Sequence, residues 1–231
     1  MYGAILNPGC RFFDKRIGQS TTLTGRQIAK HMSAECNKVI TGEYDHVGDA
    51  VIYGDTDSVY FSAFPILKKE IENKDIPWDK ESVIKLYDQV AEEVNGTFIE
   101  FMGKAFHCPK TRANVIQAGR EMVAENGLYI TKKRYAALVY DIEGFRSDTD
   151  GKPGKVKAMG LDLRRSDTPV FMQEFLSEIL LMVLTDIPQA DVLQRITEFR
   201  KEFENRPGYE KGSPKRANKV GHYKRLEEKQ G

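Results

Sequence analysis

The chain has 231 residues, 40% of them hydrophobic and 30% charged, with a formal net charge of +1, which fits one large or two small globular domains and excludes a polyelectrolyte. Its three cysteines, Cys10, Cys36 and Cys108, lie far apart without a CxxC pair, which argues against a disulfide scaffold or a zinc site and fits a reducing cytosol. No basic segment leads into an apolar one at the start, so no signal peptide is expected, and the longest apolar run, Phe175 to Leu184, is too short to span a bilayer.

In chain order, residues 2–13 read as mid-domain sequence. Residues 19–40 place Ile28, Met32, Cys36 and Val39 at helical spacing, and Gly42 follows as a stop. Residues 50–64 give two short β-rich runs around Gly54–Asp57, the pattern of a hairpin. A second helix is predicted from Trp78, with Val83, Leu86, Val90, Val94 and Phe101 on one stripe. Residues 113–124 read as a short strand and 127–141 as a longer one. A loop follows over Ser147–Gly154, and "KVKAMGL" returns as a strand. From Ser166 the pattern turns helical, opening on Ser, Asp, Thr and Pro. Pro188 breaks that helix, another runs over 189–203, and the tail from 209 is basic. The fold class is therefore α+β, a mixed strand-and-helix region over about 8–160 followed by the start of a helical one near 161.

The segment "VIYGDTDSVYF" sets Asp55 and Asp57 two positions apart inside strand-forming residues. Residues at i and i+2 of a strand share a face, and at a hairpin tip both can converge on one point. Close carboxylates repel and burial penalises each charge, a conflict that a divalent cation resolves. Oxygen ligands in this number suit Mg²⁺. A plain polar turn explains the same residues, since Asp and Thr are common in turns.

The flanks carry more. "YGDTDSVY" resembles the carboxylate motif of family B DNA polymerases. "YGAILNPGCRFFDKR" at 2–16 is similar to the end of that family's fingers motif, "TKKRY" at 131–135 to its primer–template contact motif, and "KVKAMGLDLRRSDTP" to its palm-to-thumb junction. The order and spacing are like those of T4-like phage polymerases. The resemblance implies a family B polymerase palm, an antiparallel sheet with packed helices, over 8–160, preceded at 1–7 by the end of the fingers motif and followed at 161–231 by the start of a helical, incomplete thumb. It implies DNA-directed nucleotidyl transfer with two Mg²⁺ ions, on primer–template DNA and deoxynucleoside triphosphates.

By the same resemblance Asp57 is a direct metal ligand, Asp55 acts beside it through water or charge, and Glu121 is an acidic residue near the metals. Tyr2, Gly3 and Thr56 meet the nucleotide. Ser58, Lys132, Lys133, Arg134, Tyr135, Lys157, Arg165, Lys215 and Arg216 meet DNA. Within "KKRY" alternation along one strand is expected, with Lys133 and Tyr135 on one face. Surface readings compete: a strand edge guarded by lysines for "KKRY", a strand-edge charge for Glu121, a solvated tail for Lys215 and Arg216.

The family's other metal aspartate, its fingers lysine and its exonuclease are not found in this sequence. The expectation is thus a polymerase encoded in pieces, or an excised exon, acting with a polypeptide that supplies exonuclease, fingers and first palm aspartate. The location implied is the cytoplasm, that of the bacterial host for a phage protein, with no membrane partner. The alternative is a non-catalytic DNA-binding fragment. A nucleotidyl cyclase-like palm also has an acidic hairpin, but gives "KKRY" and the helices no place.

Overall fold

The computed structural model describes residues 2–149 and 151–212, so Lys215 and Arg216 lie outside the described residues. The chain divides into two compact units between Val123 and Ala124. The region expected over 8–160 extends across both.

The first unit is built on two long helices. After the short α1 (Tyr2–Ile5), α2 runs Lys15–Thr41. It begins earlier than the periodicity suggests because Asp14 caps it, accepting from the amides of Arg16 at 2.8 Å and Ile17 at 3.3 Å. The Arg16 guanidinium and those bonds hold the Asp14 carboxyl below its ordinary range. Gly42 ends α2 in the left-handed conformation, φ 85°, its amide donating to Lys38. Strands β1 (Val51–Asp55) and β2 (Ser58–Phe61) form the expected hairpin, followed by α3 (Phe64–Glu72) and α4 (Lys80–Phe106). Asp79 caps α4 through Ser82. The buried stripe of α4 is Val83, Val90, Val94, Phe98 and Met102, with Leu86 and Phe101 half-buried at its edge.

Cys36, Val90, Val94 and Phe98 form the core of this unit, packed by Ile28, Met32, Val39, Ile40 and Phe61. Truncating a buried ring such as Phe98 costs roughly 3–5 kcal/mol. Burial, with Glu35 adding, pushes the Cys36 thiol up to about 12, so it behaves as an inert apolar group.

The strand expected over 113–124 does not form over that range. Lys110–Val115 is a 3₁₀ helix and β3 begins only at Met122. The reason lies in α4: the Asn95 carboxamide donates to the carbonyl of Ala118 and accepts from its amide, both at 2.7 Å. A helix side chain thus satisfies the backbone that a neighbouring strand would otherwise pair.

In the second unit β3 (Met122–Thr131), β4 (Arg134–Ile142) and β5 (Phe145–Arg146) lie side by side, and β6 (Lys155–Met159) also pairs β4. Both short strands return antiparallel to β4, β5 at Asp141–Ile142 and β6 over Tyr135–Val139. The described residues between β5 and β6 belong to no strand or helix. The single strand expected over 127–141 is therefore two strands. Helices α5 (Val170–Leu184), α6 (Gln189–Asn205) and α7 (Gly208–Lys211) follow. The first starts four residues after Ser166, without a side-chain cap. It shares a core with the sheet: Ala136, Leu138 and Ala158 meet Leu161, Leu163 and Leu184, with Leu176, Leu180 and Leu181 packed on them. Phe175 of α5 stacks on Phe199 of α6 at 3.6 Å between ring centres. No helix among the described residues is long and apolar enough to cross a membrane.

Candidate functional site

Asp55 ends β1 and Ser58 begins β2, so Thr56 and Asp57 are the turn. Only Asp55 is a strand residue. Both aspartates lie at the hairpin tip, but they do not share a strand face. Asp55 is half-buried and Asp57 exposed. The turn is closed by its own atoms: the Asp57 amide donates to the Asp55 carbonyl at 2.5 Å, and Ser58 Oγ donates to the same carbonyl at 3.1 Å. Thr56 Oγ1 donates to Asp55 Oδ1 at 3.1 Å, orienting that carboxylate. Thr56 itself has φ 46°. A β-branched residue in the left-handed region is strained by about 1–3 kcal/mol, and such strain gathers at functional sites.

The hairpin stands on a stiff base. Tyr53 and Tyr60 pair across the strands at 5.4 Å between centroids, and Phe61 meets the edge of Tyr87 at 5.2 Å. Below them, the Ser62 amide donates to the Ala50 carbonyl at 2.8 Å. Buried Asn37 of α2 reaches the loop that leads into β1, bonding Glu43 and Ala50.

Glu121 is exposed, one residue before β3. Among the described residues no three His, Cys, Asp or Glu side chains gather as a group able to hold a metal ion, so Asp55, Asp57 and Glu121 do not form one such cluster. Tyr2 sits in α1, its hydroxyl 2.7 Å from Thr22 Oγ1 of α2. Because Thr22 gives its proton to the Gly18 carbonyl at 2.9 Å, Tyr2 is the donor. Leu6 packs where a Cβ on Gly18 would stand, which lets α1 approach α2 closely. Gly3 has open space around it.

In the second unit the "KKRY" expectation is corrected. Lys132 and Lys133 are the turn between β3 and β4, Lys133 at φ 62°, and only Arg134 and Tyr135 lie on a strand. With the chain reversing at Lys133, that residue and Tyr135 cannot share a strand face. Lys132, Lys133 and Arg134 are exposed. Tyr135 is 5% exposed and stacks on Tyr129 at 5.6 Å. Burial, with Tyr135 beside it, pushes the Tyr129 phenol up to about 12. Gly160, φ 62°, lies so close beneath the turn that a Cβ there would collide with the Lys133 carbonyl oxygen. Lys157 is half-buried on β6, opposite Ala137. Arg165 is exposed but held: its Nε and Nη2 donate to the two Asp167 oxygens at 2.9 and 2.8 Å, with Asp162 also near. The pairing raises the Arg165 pKa and lowers that of Asp167.

Sequence reasoning missed Asn37, Thr22 and Asp167, the partners that fix the hairpin base, Tyr2 and Arg165. One signal was available for Asn37: a carboxamide inside an apolar helix stripe disfavours the helix unless it serves something else.

The model of DNA polymerase family B matches residues 1–209. The DNA-directed DNA polymerase of Escherichia phage RB69 is 31% identical over 197 residues, covering 80% of this chain and 21% of the relative. That of Enterobacteria phage T4 is 27% identical over 217 residues, covering 88% and 23%. The DNA polymerase of Paramecium bursaria Chlorella virus NY2A is 29% identical over 208 residues, covering 89% and 19%. The chain thus spans about a fifth of the length of these relatives. A match running through the hairpin, the basic turn and the first helices beyond the sheet places this chain in DNA polymerase family B.

Proposed function

We propose that this chain contributes one carboxylate hairpin and a set of primer–template contacts to a DNA-directed DNA polymerase. In this reading residues 1–7 end the fingers motif, 8–160 are palm and 161–231 begin the thumb. The observation that carries it is Asp55-Thr56-Asp57-Ser58 closing a rigid hairpin in a chain of the polymerase family. Hard carboxylate oxygens, one exposed and one half-buried, suit Mg²⁺, which keeps other positions for water and phosphate.

Asp57 would hold the metal directly and Asp55 would act through water or charge, with Glu121 adding negative charge nearby. When bound, two Mg²⁺ ions supply activation of the primer hydroxyl and neutralise charge on the departing pyrophosphate. The chain's own residues position the reactants. Thr56 orients Asp55 and borders the nucleotide. Tyr2 and Gly3 lie under the nascent base pair. Ser58 and the basic residues Lys132, Lys133 and Arg134 hold DNA, while buried Tyr135 stiffens the turn from within. Lys157 follows the duplex backbone, and Arg165 joins it when released from Asp167. The exonuclease, fingers and first palm aspartate of the polymerase lie outside these residues, and the assembled enzyme works in the host cytoplasm.

The test is primer extension with Mg²⁺ and four nucleotides, by this chain alone and with a polypeptide carrying the fingers and first palm aspartate. Extension only in the mixture, abolished by Asp57→Ala while DNA binding is kept, is expected. Normal extension by Asp57→Ala sinks the metal assignment. Silence in a folded, associated mixture favours a non-catalytic DNA-binding fragment.

A further inference from the structure

Asn37 is 1% exposed within α2, and a buried carboxamide must find partners. Its Nδ2 donates to the Glu43 carbonyl at 2.8 Å and its Oδ1 accepts from the Ala50 amide at 3.1 Å. These partners stand at opposite ends of the loop between α2 and β1. Turning the carboxamide over would set donor against donor and acceptor against acceptor, so its orientation is determined. Gly48, in the same loop, lies against the carboxamide, where any Cβ would overlap it. Its backbone is not in the left-handed region, so closeness and not φ explains the glycine.

Ala50 carries the restraint onward. It is fully buried, its carbonyl accepts from the amide of Ser62 just beyond β2, and its neighbour Val51 pairs with Phe61. One side chain of α2 therefore grips the base of both strands whose other end bears Asp55 and Asp57.

We propose that Asn37 is a positioning residue for the carboxylate hairpin: its carboxamide sets the base of β1 and β2 against α2 and thereby places Asp55 and Asp57. The inference rests on reading those aspartates as metal ligands.

Amide hydrogen exchange on the whole chain tests it without requiring catalysis. Asn37→Ala leaves the Ala50 amide unpaired, so exchange at Ala50 and at the hairpin amides should rise about tenfold or more while Val90–Phe98 keep their protection. Gly48→Ala pushes the carboxamide away from the other side and should give the same pattern. The double variant should be no worse than either single, because both remove one contact. In the complemented polymerase the variants should lower kcat more than they raise KM for nucleotide. Hairpin exchange equal to wild type in folded Asn37→Ala, or additive effects in the double variant, overturns the proposal. If Asn37→Ala also loses protection in α4, Gly48→Ala decides, and unchanged hairpin exchange there overturns it. Absence of extension by the complemented wild type counts against the polymerase reading alone, since exchange still reads the hairpin.

Discussion

His31 Nε2 lies 2.9 Å from Thr97 Oγ1, and the direction of that bond can be assigned. Thr97 gives its only proton to the Val94 carbonyl at 2.7 Å, so it must accept from His31 Nε2–H. In the neutral ring Nδ1 is then an acceptor, and the Tyr44 hydroxyl donates to it at 2.8 Å. The ring also stacks on Phe101 at 3.9 Å. A neutral imidazole thus pins α2, α4 and the loop before β1 to one another.

Burial lowers the His31 pKa, with Glu35 opposing and Lys38 assisting. The folded state therefore takes up the proton less readily than the unfolded state. Below about pH 6.5 the unfolded chain binds more protons, so stability falls as pH falls. Tm should drop by a few degrees between about pH 7 and 5.5, and His31→Gln should flatten that slope. An equal slope in wild type and His31→Gln would show that this histidine does not govern it.

Gly160 answers to geometry in the second unit. At φ 62°, with the Lys133 carbonyl oxygen where its Cβ would be, it tolerates no side chain. Gly160→Ala should destabilise by roughly 1–3 kcal/mol and shift the backbone resonances of Lys132–Arg134. Denaturation by urea measures the first effect and NMR the second. A variant as stable as wild type would mean the turn can retreat from β6.

Much of this was legible in the sequence. Val51–Phe61 reads as a hairpin because strand formers flank a polar turn, and α4 reads as a helix because its apolar residues recur along one face. What failed has two causes. Residues 113–124 look like a strand, yet the backbone of Ala118 pairs with Asn95, a side chain 23 residues away. "LYITKKRYAALVY" has strand propensity throughout, and only the positive φ at Lys133 breaks it, with no glycine to mark the place. The clamps on Arg165 and the hairpin base are likewise contacts that periodicity does not carry. Local preference is written in the chain; side chains that satisfy distant backbone are not.

Thr56 stores strain that a milder residue would release. Asn tolerates the left-handed region better than a β-branched residue, so Thr56→Asn should stabilise the first unit by up to about 1 kcal/mol. It also removes the Oγ1 bond that orients Asp55. The expected pair of results is a raised urea midpoint with slower nucleotide addition in the complemented enzyme. A lowered midpoint would show that the Oγ1 bond outweighs the strain.

The basic residues of the second unit should not contribute alike to DNA binding. Lys132 and Lys133 stand exposed at a hairpin end. Removing one lysine–phosphate pairing on duplex DNA reduces the slope of log affinity against log salt by about 0.9. Lys132→Ala should show a change of that order. Arg165 must first leave its two-pronged bond with Asp167 before it can grip a phosphate. Arg165→Ala should therefore change the slope little, whereas Asp167→Ala should release the guanidinium and raise affinity at low salt. Fluorescence anisotropy of labelled primer–template over a salt series reads all three variants. Arg165→Ala reducing the slope as much as Lys132→Ala would mean the pair opens readily on DNA, because an exposed ion pair contributes little and a phosphate can compete for it.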